Sequence, residues 1–139
     1  MADLVVDSSV WVAFFLPRDE HHQRAVQFVN ELEADVHRCH LPYLVLVETC
    51  AAIARRVPRG RVPLVRRAQR SFEGWTEQGL IRWYTLDEPR ARATVDLNLT
   101  LSLPLQGSDS VIVSLAQELG YPVMTNDEEI RQRYQNVTP

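Results

Sequence analysis

Apolar positions along the chain alternate between short continuous runs and stripes at helical spacing, which is the pattern of a domain with strands and helices in turn. Leu4-Val5-Val6 reads as a buried strand, and Asp7-Ser8-Ser9 behind it as a helix cap. Residues 10–16 form a short apolar helix stopped by Pro17. Asp19 or Glu20 opens the next helix, whose inner face is Ala25, Val26, Phe28, Val29 and Leu32. Residues 38–41 are a second strand. Pro42 suits a first helical turn, and Tyr43 to Arg56 has the strongest helical pattern in the chain. After Pro58, Gly60 and Pro63 a helix is expected over 64–78, then a strand over 80–84. Residues 88–99 are helical in pattern. A helix over 109–119 follows, with Ser108 as its N-cap and Gly120 as its stop. Residues 122–125 give a fourth strand, a short helix runs to Tyr134, and Val137 is placed on an edge strand. Such alternation predicts an α/β domain with a mainly parallel sheet of four or five strands and right-handed crossovers. No repeat or long linker divides the 139 residues, so one domain spanning 1–139 is expected.

Composition narrows the setting. With 45% hydrophobic residues the chain can build a core without disulfides, and no run of 18 apolar residues is long enough to cross a membrane. Asp3 ahead of the first apolar run argues against a signal peptide. Cys39 and Cys50 lie in segments expected to be buried and read as thiols of a reducing, cytoplasmic compartment. The formal charge is only −3, yet all 15 basic residues are arginine, and seven lie between Glu48 and Glu73 where no acid occurs: Arg55, Arg56, Arg59, Arg61, Arg66, Arg67 and Arg70. Arginine grips phosphate bidentately and stacks on bases, so this segment is a candidate RNA or protein contact.

Two acids stand at C-terminal strand ends, Asp7 and Asp127, where open α/β sheets bind ligands. Asp109 falls in a first helical turn, where the helix dipole favours a carboxylate. Each alone is ordinary cap chemistry. Glu48 is not: its helix is apolar on nearly every side (Leu44, Val45, Leu46, Val47, Cys50, Ala51, Ala52, Ile53), which predicts a helix buried between layers and a carboxylate without a local arginine. An unpaired buried carboxylate costs several kcal/mol even after relaxation. If the four acids converge, each pair ~4 Å apart repels by about 4 kcal/mol at an effective dielectric near 20, so a divalent cation is needed. All-oxygen ligands favour Mg²⁺ or Mn²⁺ over zinc.

Lysine is absent, which removes P-loop enzymes, receiver domains and haloacid-dehalogenase-like phosphatases, all of which depend on one. His37-Arg38-Cys39-His40 has metal-ligand types, but alternate strand positions face opposite ways and no second cluster completes a tetrahedral zinc site. His21 and His22 read as solvated, and Trp11, Phe14 and Phe15 as core; Trp75 and Trp83 are core or interface.

In order, the chain carries Val6-Asp7-Ser8-Ser9, Glu48 in an apolar helix, Gly107-Ser108-Asp109-Ser110-Val111-Ile112-Val113 and Thr125-Asn126-Asp127. This series resembles the PIN domain family over essentially the whole chain, in particular the VapC-type ribonuclease toxins of toxin–antitoxin modules. The resemblance implies a three-layer α/β/α fold and a metal-dependent endoribonuclease in which Asp7, Glu48, Asp109 and Asp127 form the metal and catalytic set. It implies supporting hydroxyls at Ser9 and Thr125, and an RNA substrate such as tRNA. It also implies a VapB-type antitoxin over the cleft and a homodimer, with Arg55, Arg56, Arg66 and Arg67 in the arginine-rich stretch contacting RNA or antitoxin. Two other readings of the same resemblance are a catalytically silent PIN-fold binding module and a PIN nuclease of RNA processing.

Overall fold

In the computed structural model, which describes residues 1–138, the chain runs β1 (Ala2–Val6), α1 (Ser8–Phe15), α2 (His22–Glu33), β2 (His37–Pro42), α3 (Tyr43–Arg56), α4 (Arg61–Glu77), β3 (Ile81–Tyr84), α5 (Glu88–Thr100), α6 (Gly107–Leu119), β4 (Val123–Met124) and α7 (Glu128–Arg133). The four strands are all parallel, in the order β3-β2-β1-β4. Val137 makes a single parallel bridge to Val123, less than the edge strand expected there.

The order explains the layers. The steps from β1 to β2 and from β2 to β3 move the same way across the sheet, and the step from β3 to β4 moves back. Right-handed crossovers therefore place α1 to α4 on one face and α5 and α6 on the other. Packing agrees, with α1 against α2 and α3, α3 against α4, and α5 against α6. The first face is glued by an aromatic cluster: Trp11 lies 5.2 Å from Phe72, 5.4 Å from Trp75 and 5.8 Å from Phe28, centroid to centroid. The direction in which strands are added to the sheet reverses between β1 and β4, so the crevice beyond the C-terminal ends of those two strands is the ligand position this topology offers.

Four expectations change. Helix α3 is not covered all round: Val45, Thr49 and Ile53 are buried, whereas Tyr43 is 50% and Val47 64% exposed. Cys50, on the same helix, is half-buried rather than buried. Pro63 does not interrupt α4 but sits in its first turn, where no intrahelical acceptor awaits an N–H. Helix α6 begins at Gly107 behind Gln106, two residues before the expected start, so Ser108 lies inside the first turn and is not the cap.

Candidate active site

Strand β1 delivers Asp7 to the crevice, its amide donating to the Met124 carbonyl at 2.9 Å. The Asp7 side chain is buried, and two hydroxyls converge on its Oδ2: Ser9 Oγ at 2.8 Å and Thr125 Oγ1 at 2.9 Å. The Asn126 amide donates to Ser9 Oγ at 2.9 Å and the Asp127 amide to Thr125 Oγ1 at 2.9 Å, so each oxygen accepts from a backbone N–H and keeps its own proton to give to Asp7. The loop after β4 is thereby tied to the loop after β1. Thr125→Val, which keeps the shape but removes the hydroxyl, should cost about 1–3 kcal/mol. Thermal denaturation would show it, and an unchanged melting temperature would mean that these bonds are absent in solution.

Asp7, Glu48, Asp109 and Asp127 all line one open cleft of about 440 Å³. Helix α3 contributes Glu48, α6 contributes Asp109 from its first turn, and Asp127 sits at the start of α7. Asp127 also caps α7, its Oδ1 accepting from the Glu129 amide at 2.8 Å. Among the described residues no arginine or histidine pairs with any of the four. Arg82 lies over the Tyr84 ring. Protonation reflects the crowding. Burial pushes the Asp7 carboxyl up, against the hydroxyl bonds that pull it down. Glu48 is raised by burial and then by the charge of Asp7, while a hydrogen bond from Ser108 partly offsets this. Asp109 is pushed up to about 7, by burial first and then by repulsion from Asp127, Asp7, Glu48 and Glu129.

Sequence reasoning missed Glu129. One carboxylate oxygen from each of Asp109, Asp127 and Glu129 lies within 4.8 Å of the others. The available signal was the run Asn126-Asp127-Glu128-Glu129, which also reads as plain first-turn chemistry. Of the four arginines singled out, Arg56 lines the cleft, while Arg55, Arg66 and Arg67 are outside its lining. His21 lines the cleft too, and His22 bonds the Ala13 carbonyl at 2.7 Å, so neither is simply solvated. His40 is held between Tyr84 and Asp3, at 2.7 and 2.8 Å, with no metal cluster formed by the 37–40 segment among the described residues.

The model of the PIN domain matches residues 4–136. The chain belongs to the PIN domain family. PIN domains are typically metal-dependent nucleases, and the acidic cleft lies where this fold offers a ligand site. No curated protein matches by sequence. Solved structures match in fold. The Mycobacterium tuberculosis toxin VapC20, described as cleaving the sarcin-ricin loop, is 15% identical, with 98% of this chain and 99% of that chain covered and a TM-score of 0.70. FitAcB from Neisseria gonorrhoeae is 19% identical, with 89% and 87% covered and a TM-score of 0.67. DNA-bound VapBC from Salmonella typhimurium is 17% identical, with 99% and 96% covered and a TM-score of 0.65. At such identities the shared property is the PIN fold. No helix among the described residues is long and apolar enough to cross a membrane.

Proposed function

We propose that this PIN domain is a Mg²⁺- or Mn²⁺-dependent endoribonuclease that hydrolyses RNA phosphodiester bonds and acts as the toxin of a toxin–antitoxin pair. The observation that carries the reading is the convergence of Asp7, Glu48, Asp109 and Asp127 in one cleft with no cationic side chain paired to them among the described residues. The donor set is hard carboxylate oxygen throughout, which suits Mg²⁺ or Mn²⁺ and not zinc. Asp7 and Asp109 would hold the ion, with Glu48 and Asp127 completing the site and Glu129 beside it. When bound, such an ion stabilises charge on a phosphodiester under in-line attack and acidifies water.

The protein's own share is orientation. Ser9 and Thr125 fix the Asp7 carboxylate in one rotamer, and Asp127 is held by two amides of α7. A VapB-type antitoxin and a second copy of the chain are the proposed partners. Solved relatives include a DNA-bound VapBC complex and a toxin–antitoxin complex from Klebsiella pneumoniae. Exposed apolar side chains supply surface for such partners: Tyr43 and Val47 on α3, and Val95 at 62% and Leu99 at 80% on α5.

The test is incubation of purified, antitoxin-free protein with total RNA in Mg²⁺, in Mn²⁺ and in EDTA. Discrete fragments that require the ion are expected. A folded protein that cuts no RNA with either ion would instead be a silent binding module.

A further inference from the structure

Beside the acidic cleft lies a second groove of about 330 Å³, lined by Leu16, Pro17, Arg18, Arg56, Val57 and Leu64. The two share one residue, Arg56, which lines both. Glu48, Ala52 and Arg56 follow one another at four-residue spacing on α3, so one side of that helix carries an acid near its middle and an arginine at its C-terminal end. Eight residues of helix separate their backbones by ~12 Å along the axis. Arg56 thus stands beyond the acids, where the cleft and the second groove meet.

Arg56 is held in place rather than loose. Its Nη1 donates to Asp19 Oδ2 at 3.0 Å, and Asp19 is fixed in turn by the His21 amide at 2.9 Å. Its Nε and Nη2 have no partner among the described residues, and the Arg18 side chain has none either. Two arginines therefore line this groove together with the aliphatic side chains of Leu16, Val57 and Leu64. The cleft is otherwise negative, with Asp19 and Glu20 adding to the four acids, and Arg56 is the only arginine in its lining among the described residues. A polyanion entering this cleft needs a cationic counterweight close by, and the shared arginine supplies it.

We infer that this groove is a subsite for the nucleotide flanking the cleaved bond of an RNA strand. Arg18 and Arg56 bind its phosphate, and Val57 and Leu64 face its base. The inference rests on the ribonuclease reading and adds the direction in which the strand leaves the acids. Continuity with the cleft favours RNA over an acidic protein tail, which would fit the same groove by charge alone.

The experiment compares wild type, Arg18→Gln, Arg56→Gln and the double variant on a short oligoribonucleotide that wild type cuts. Arg92→Gln on α5, whose guanidinium pairs with Glu88, is the control. Each single variant should raise KM about tenfold with kcat changed less than about threefold. The salt dependence of log KM should become shallower by ~0.7 for each phosphate no longer neutralised. Trimming the substrate on the flanking side should raise the wild-type KM to that of the double variant. Arg56→Lys should keep the salt slope. Wild-type KM and salt slope in the double variant, with RNA still cut, would overturn the subsite and leave the groove to an acidic peptide. A loss confined to kcat would overturn it too, as would a fall in melting temperature reproduced by Asp19→Asn, because Arg56 would then only brace the turn before α2. If wild type cuts no RNA, the ribonuclease reading fails instead. Anisotropy of labelled RNA in EDTA still decides the subsite: a salt slope unaltered by the double variant rejects it, and a shallower one supports it.

Discussion

Asp7→Asn should lower RNA cleavage by about a thousandfold or more while leaving the protein folded and at least as stable as wild type. The two halves of this expectation have different causes. Asparagine keeps the size of the side chain and an oxygen that can accept from Ser9 Oγ and Thr125 Oγ1, so the ties between the β1 and β4 loops survive. It removes a negative charge that is almost wholly buried and whose carboxyl is already raised by that burial, so the folded state loses an electrostatic penalty. The same charge is the proposed anchor of the cation. Losing a preorganised electrostatic element of an active site typically costs about 10²–10³ in kcat, and losing a member of a cooperating set costs more. Cleavage rates and thermal melting on the same preparation check both halves. A variant that cuts RNA at the wild-type rate would remove Asp7 from the chemistry, and one that fails to fold would show that residue 7 matters first as structure.

Much of this candidate site is legible in the sequence because three of its acids carry local signatures. A short apolar run ending in Asp7, and another ending before Asp127, mark strand ends whatever the rest of the chain does. Asp109 keeps its first-turn place even though α6 starts earlier than expected. The early start was hidden because Gln106 makes no side-chain cap bond, so no cap residue announces it. Glu48 lies on the helix expected for it, but not in the surroundings expected. Apolar residues on all sides of α3 read as burial, yet the stripe through Tyr43 and Val47 faces outward, and a sequence pattern does not say which apolar stripe is covered. Among the arginines, composition alone marked out a segment. Only helical phase, fixed by Glu48 and Ala52 on the cleft side of α3, singles out Arg56 from Arg55. Glu129 stayed invisible because acids in a first turn need no further explanation.

Asp109→Asn should make the metal-free protein more stable at pH 8, flatten its stability between about pH 4 and 7, and remove most of the stabilisation given by Mg²⁺. Asp109 has its folded carboxyl raised to about 7, against ~3.9 for an unfolded aspartate. Between those values the folded state binds more protons than the unfolded one, so stability is fully present below about pH 4 and is lost as pH rises through 7. Asp109 is only half-buried, and solvent screening reduces the effect to roughly 1–2 kcal/mol, about 3–8 °C in melting temperature. Asp7 and Glu48 are raised in the same direction and Asp19 and Glu31 are lowered, so the slope of wild type alone mixes several groups. The difference between wild type and Asp109→Asn isolates residue 109. A cation competes with the same proton, so Mg²⁺ should stabilise wild type more at about pH 8 than at about pH 5. At a hundredfold excess over its dissociation constant that stabilisation reaches about 2.7 kcal/mol. Thermal melts of both proteins at these two pH values, with and without Mg²⁺, give all four comparisons. A full Mg²⁺ shift in Asp109→Asn would place the ion elsewhere. A variant no more stable than wild type at the higher pH would mean that the burial and repulsion raising Asp109 are relieved by some other route.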